Sequence, residues 1–477
     1  MTKIRQFQVT LACTLGNFLI GLLFVWPSYT LNLYTSKNTT LLSKPMTEIE
    51  GSLLGSLPCL GALFGTVLSG IIINGFGRKI GGIAIAMPYI ASWLMIDLSS
   101  SAIVVLIARF LAGISCGATV VHAPIFISEV ADESVRGLLA SAIAFFYCFG
   151  VLVSYIFGWV LTFRYIVWMN ILFCILYVAL LLSIMESPVF LLKKRGPEAA
   201  RESIAYYKGL SSNSKEVTDA LARLKQEIMP AVELIAICDT DELEKEKLND
   251  DNGVEQEKMP PYKILFLSPA PRRGFIIVAL TVSVQILMGM VAVQVYAKTI
   301  FAQAAPNLSP HLCSVLFALV LFSGSLFCGF LSDRFGRKPL LITSSAIVGV
   351  CLFGMGVITH TNLVPAILTA VLMLIFCFAF MMGAGSVPYV LLAELFMSDV
   401  QSLASMILMN LMWIVNFFTV GIFPFMIKIF GMHGSFYIFA LFGIINVLVG
   451  IFLVPETKGL TKGEIQELLL GRRKTMR

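Results

Sequence analysis

The acidic and basic residues of this chain recur in register. Gly77-Arg78-Lys79 returns as Gly336-Arg337-Lys338, Glu129 returns as Glu394, and Glu186-Ser187-Pro188 is answered by Pro455-Glu456-Thr457. The offsets are 259 (337 minus 78), 265 (394 minus 129) and 270 (456 minus 186), so the copies keep their order along the chain. Arginine and glutamate in such loops make ion pairs, which hold and release structure but break no covalent bonds. The signs of an enzyme are missing: there is no Gly-x-x-x-x-Gly-Lys-Ser/Thr loop for a nucleotide and no His-Glu-x-x-His for zinc. The ten cysteines have neither metal-ligand spacing nor the pattern of a disulfide framework, and read as small buried hydrophobes. No cofactor is implied.

The elements that must position these residues are membrane helices. The 477-residue chain is 58% hydrophobic and 13% charged, and its mean hydropathy is +0.88, far outside the range of water-soluble folds. A crossing needs about 20 apolar residues. By that measure the sequence predicts twelve spans, near 9–33, 51–74, 80–98, 101–123, 138–161, 164–185, 274–297, 312–332, 339–359, 363–389, 402–427 and 433–454. The expected class is therefore an all-α membrane protein whose partner is the lipid bilayer. Lys3 and Arg5 lead directly into a run of full spanning length, which reads as a retained first helix.

The net charge of +6 sets topology and does not imply nucleic acid. Arg78, Lys79, Arg136, Arg272, Arg273, Arg334, Arg337, Lys338 and Lys458 fall on one side of the predicted spans, whereas the other side has mainly Lys37, Lys44, Arg164, Lys298 and Lys428. The positive-inside bias places both termini in the cytoplasm of a multi-pass cell-membrane protein. The two Asn-x-Ser/Thr sequons, at Asn38 and Asn307, fall in loops on the opposite side, where glycosylation occurs.

The apolar rhythm breaks once, and six spans lie on either side of the break. The expected organisation is a six-helix bundle over 1–185, a cytosolic loop over 186–273, a second bundle over 274–454 and a cytosolic tail over 455–477. Helical spacing over 198–229, interrupted at Gly209 and Ser211–Ser214, predicts two short amphipathic helices, and residues 239–258 read as an acidic linker. Because corresponding loops share a side, the halves are parallel repeats with a substrate path expected between them.

In this setting the chain resembles a sugar porter of the major facilitator superfamily, and within it the insect facilitated trehalose transporter-like branch. The resemblance rests on the two basic turns, Arg109-Phe110-Leu111-Ala112-Gly113, Glu129 with Arg136-Gly137, Glu186-Ser187-Pro188, Ala393-Glu394-Leu395-Phe396 and Pro455-Glu456-Thr457-Lys458-Gly459. It implies a non-enzymatic, facilitative carrier that alternates access to a central site. It also implies a cytosolic gate in which Arg78, Glu129, Arg136, Asp333, Arg337 and Glu394 tie the halves together. Two positions depart from the family's arginines: Gly75 and Gln401.

The resemblance carries a sugar site onto Gln285, Tyr389 and Trp413, and Tyr296, Asn416, Gln294 and Asn410 are further polar or aromatic candidates for it. Amides and aromatic faces suit a solute with many hydroxyls. Several of the family's polar positions are apolar here: Ala144, Ile286, Val291, Leu321 and Met412. The substrate is expected to be trehalose or a hexose; a sugar sensor, a non-transporting homologue and a carrier of a less polar solute remain alternatives. Pro27 stands where proton-coupled members have an aspartate, which favours uniport, and His122 is an intramembrane ionisable group whose proton-relay role competes with simple packing.

Overall fold

Hydrocarbon offers no partner for a free peptide N–H or C=O, so apolar runs of this length close their hydrogen bonds internally as helices. The computed structural model describes residues 4–226, 260–304, 306–361 and 365–471, and the described backbone is helical throughout its long apolar runs. The first half contains α1 (Ile4–Thr35), α2 (Glu48–Phe76), α3 (Arg78–Leu98), α4 (Ala102–Val130), α5 (Glu133–Val160) and α6 (Phe163–Leu182). Helices α7 (Pro188–Arg195), α8 (Pro197–Lys208), α9 (215–226) and α10 (Pro261–Leu267) follow.

In the second half, two crossings are assembled from broken pieces. The first is α11 (Pro269–Leu287), α12 (Met290–Val295) and α13 (Ala297–Ala304); after α14 (Pro310–Phe335) and α15 (Arg337–Thr361), the other is α16 (Ala366–Ala379), a π turn (Phe380–Ala384) and α17 (Val387–Glu394). The chain closes with α18 (Ser398–Phe452) and α19 (Lys462–Leu469).

Eleven segments among the described residues are long and apolar enough to cross a membrane. The last, Val400–Phe452, has 53 residues, which at 1.5 Å per residue is about 80 Å and more than twice the roughly 30 Å of hydrocarbon. Gly431 interrupts it with φ 70° and ψ 174°, between the two spans expected at 402–427 and 433–454. Among the described residues the crossings therefore number twelve, six in each half.

Helix α1 is buried along almost its whole length because it packs on α4, α5 and α6 of its own half and on α12 and α13 of the other. The halves also meet where α5 lies on α14 and α2 on α18. Beside the first half, α8 ends at Gly209, whose φ is 63°. Leu191, Ala200, Ile204, Val217 and Leu221 form a separate small core beneath α7, α8 and α9. Within the segment 198–229 the described residues, which reach 226, form α8 and α9 with Gly209–Ser214 between them; the acidic stretch 239–258 lies outside the described residues. Ser203 Oγ donates to the carbonyl of Glu186 at 2.7 Å and Arg5 to that of Tyr206 at 2.8 Å, which docks this platform on the bundle.

The basic turns are built on glycine for a specific reason. Gly77 and Gly336 sit at φ 95° and 89°, a region open to glycine but strained for other residues. A Cβ on Gly77 would also collide with the carboxylate of Glu186, and one on Gly336 would stand 2.7 Å from that of Glu456. Gly77→Ala should therefore cost on the order of 1–3 kcal/mol and lower the melting temperature of the detergent-purified protein. Gly70→Ala, on the exposed side of α2 with nothing within 4 Å, should leave it unchanged or slightly higher. Equal melting of the two variants would contradict this account of the turn.

Candidate functional site

Gln285 occupies the last turn of α11, just before Gly289 takes a left-handed conformation (φ 85°) and breaks the crossing. Its Nε2 donates to the carbonyl of Gly385 at 3.2 Å, in the short unwound link between the π turn and α17. The two broken crossings thus meet through this amide, and the Gln285 Oε1 is buried without a partner. Broken helices leave backbone groups free to face a cavity, the usual setting for a binding site in a membrane bundle.

On α17, Tyr389 directs its hydroxyl to the Met412 sulfur at 3.1 Å and remains 37% exposed. On α18, Asn416 donates to the Met412 carbonyl at 3.0 Å, leaving its own Oδ1 buried and unpartnered. Trp413 donates from Nε1 to Thr66 Oγ1 of α2 at 3.0 Å and lies parallel to Phe24 of α1, with ring centres 6.3 Å apart. Gln285, Tyr389, Trp413 and Asn416 are therefore linked through Met412 and the Gly385 link.

Tyr296 stands apart from them. Its ring is buried against Phe423, and its hydroxyl donates to the Val420 carbonyl at 3.4 Å, one turn of α18 beyond Asn416. That hydroxyl is occupied within the second half. Gln294 is likewise engaged: its backbone carbonyl accepts from Tyr155 at 2.6 Å, and its amide pairs with the Tyr147 hydroxyl at 3.0 Å. The sequence reading did not single out Tyr147 and Tyr155. The available signal was their spacing of eight on α5, a little over two helical turns, which puts both hydroxyls on one stripe.

Further hydrogen bonds across the halves join Lys298 N–H to Ser28 Oγ at 3.0 Å, Ser52 Oγ to the Gly421 carbonyl and Lys428 Nζ to Glu48 at 2.7 Å. The described cross-half bonds run from the membrane middle to the face opposite the basic turns. That is where the halves are sealed.

On the basic face the two halves repeat one arrangement. Arg78 grips Glu129 with Nε at 2.8 Å and NH2 at 2.6 Å, and Ser187 Oγ donates to the same carboxylate. Glu186 accepts the backbone N–H of Arg78 at 2.7 Å and of Lys79 at 3.0 Å, which caps the start of α3. In the second half Arg337 holds Glu394 at 2.9 Å, Thr457 Oγ1 donates to Glu394, and Glu456 accepts from Arg337 N–H at 3.0 Å and Lys338 N–H at 3.1 Å. Even the lysines agree, Lys79 Nζ reaching the Leu182 carbonyl and Lys338 Nζ that of Ile451, each at 2.8 Å.

Both described pairs lie within a half, because each arginine leaves its turn beside a capped helix start and meets the glutamate ending the neighbouring crossing. The side chains of Arg136 and Asp333 lie outside the described residues. Gln401 accepts from Lys462 Nζ at 2.8 Å, again within the second half. His122 is fully buried, with Nε2 on the Arg78 carbonyl at 2.7 Å and Nδ1 without a partner. Asn38 and Asn307 are both exposed.

Two six-helix halves around a buried polar link, with matched ion-pair turns at one end, define a membrane carrier. The family model described as "Sugar (and other) transporter" matches residues 9–469, and the chain belongs to that family, which is one of transporters and not of enzymes. It is 26% identical over 482 residues to the facilitated trehalose transporter Tret1 of Polypedilum vanderplanki, covering 99% of this chain and 89% of that protein. It is 25% identical to Tret1 of Drosophila virilis, of which it spans 49%. Among solved structures, the inward-open xylose transporter XylE from E. coli superposes with a TM-score of 0.76 at 22% identity, covering 97% of this chain and 99% of that one. Its partially occluded inward-open form gives 0.75 at 23%, over 96% and 99% of the two chains.

If Trp413–Thr66 helps seal the halves, Trp413→Phe and Thr66→Val should each change the uptake rate, and their effects should not add. A double-mutant cycle should return a coupling of about 1 kcal/mol, the net value of one buried hydrogen bond. Additive effects would show that the contact does not contribute to the seal.

Proposed function

We propose that this protein is a facilitative carrier of trehalose or a hexose in the cell membrane, with residues 1–185 and 274–454 rocking about a central site. The observation that carries the site is Gln285, whose buried, unpartnered Oε1 sits where the two broken crossings meet. Tyr389, Trp413 and Asn416 complete the site. Tyr296 contributes by closing its side away from the basic turns. The names of the relatives support a sugar as the solute, and the positive-inside bias supports a cytosolic location for the basic face, both termini, the 186–273 loop and the 455–477 tail.

The gate reading takes a changed form. Arg78–Glu129 and Arg337–Glu394 brace each half as a rigid body, and the halves separate or close on the cytosolic side as units. The side-chain exposures of the pairs, 10% and 13% against 14% and 25%, make the first brace the better shielded.

Uniport is supported by α1, which contains no carboxylate in Ile4–Thr35. The buried guanidinium of Arg109 faces the Trp26 ring at 5.3 Å instead, with Nε donating to the Leu54 carbonyl at 3.0 Å. Among the described residues no carboxylate pairs with this guanidinium, whose two terminal nitrogens are buried without a hydrogen-bond partner. His122 is held on a backbone carbonyl, and the carrier reading requires no proton relay through it.

Purified protein in liposomes should show saturable uptake of labelled trehalose, glucose, fructose or a polyol, with a rate unaffected by a pH gradient. Gln285→Ala should reduce uptake several-fold to about tenfold, the effect of losing one or two hydrogen bonds. Uptake of none of these solutes would overturn the sugar-carrier reading, and gradient-driven accumulation would overturn uniport. Unchanged uptake in Gln285→Ala would remove Gln285 from the site.

A further inference from the structure

Two of the chain's four histidines, His360 and His433, meet although they are 73 residues apart (433 minus 360). His360 is exposed in the last turn of α15, and His433 is half-buried, two residues past the Gly431 interruption of α18. Their rings stack with centres 4.5 Å apart and planes inclined by 16°. Tyr437 stands steeply to both rings, at 6.3 and 6.4 Å, and walls off one side. Neither imidazole hydrogen-bonds to a described residue, which leaves the ring nitrogens free.

We propose that His360 and His433 bind a divalent first-row transition-metal ion, such as Cu²⁺, Ni²⁺ or Zn²⁺, on the face opposite the basic turns. Imidazole is a preferred ligand for these ions, with copper bound most tightly. Two imidazoles held roughly at right angles on one ion, with metal–nitrogen bonds of about 2.1 Å, have ring centres about 4.5–5 Å apart. The observed separation already lies there. What must change is the tilt, so that two nitrogen lone pairs converge, and rotation about the soft χ2 torsion of histidine provides that.

No cluster of three or more potential metal ligands occurs among the described residues, so the remaining coordination positions belong to water. The ion would tie the outer end of α15 to α18 beyond its glycine joint. Both elements belong to the second half, so the tie would stiffen that half without locking it to the first.

The test is calorimetric titration of Cu²⁺ into full-length, tag-free protein in detergent, with electron paramagnetic resonance of the bound ion. One ion per chain is expected, its spectrum showing splitting from two nitrogens. His360→Ala and His433→Ala should each weaken binding by at least about tenfold, the scale on which even outer-shell support of a metal site acts, while His311→Ala should leave it intact. The ion should also raise the melting temperature of the parent protein and of neither weakened variant, which separates ligand loss from misfolding. Binding that survives in the double variant, that depends on His311, or that shows fewer than two coordinated nitrogens would overturn the proposal.

Discussion

A carboxylate seated over a glycine turn organises each half of this protein. Glu186 takes the backbone N–H groups of Arg78 and Lys79, and Glu456 those of Arg337 and Lys338. These donors open a helix, where they have no intrahelical acceptor and where the helix dipole favours negative charge. One glutamate therefore satisfies the donors and fixes the turn, and the turn aims the arginine at Glu129 or Glu394. Replacing the glycine is costly, because the carboxylate occupies the space that a side chain would need. Three crossings and the loop behind them are thereby locked into one unit, a precondition for any mechanism in which halves move as bodies.

The breaks in the helices are distributed differently. The two broken crossings, at Gly289 and at the Phe380–Ala384 π turn, both belong to the second half, while the described crossings of the first half are continuous helices. Irregularity is thus concentrated on one wall. The opposite wall supplies Thr66, Tyr147 and Tyr155 as single side-chain contacts. Side chains on regular helices can withdraw together when a half tilts, whereas the unwound backbone can change shape locally.

Much of the fold was legible in the sequence because hydrocarbon imposes a simple rule of length and polarity. Twelve apolar runs were visible, and the break of α18 at Gly431 falls between the spans expected at 402–427 and 433–454. The cluster chemistry was legible too, since Arg78 and Glu129 recur as Arg337 and Glu394. Their partners were not fully legible: a sequence shows that charges share a face but not whether they bridge two bodies or brace one. Gln285, Tyr389, Trp413 and Asn416 come together, but the commitment of Tyr296 to Val420 and the arrival of Tyr147 and Tyr155 at Gln294 depend on how α5 leans on α12, which no local pattern encodes. Nor could spacing foretell that His360 and His433 touch.

His122 adds a second tie to the first of the two braces. From within α4 it holds the carbonyl of Arg78, while Glu129, at the end of the same helix, holds the Arg78 guanidinium. The residue that opens α3 is thus gripped by α4 through its backbone and through its side chain. Any tilt of α4 must carry the start of α3 with it.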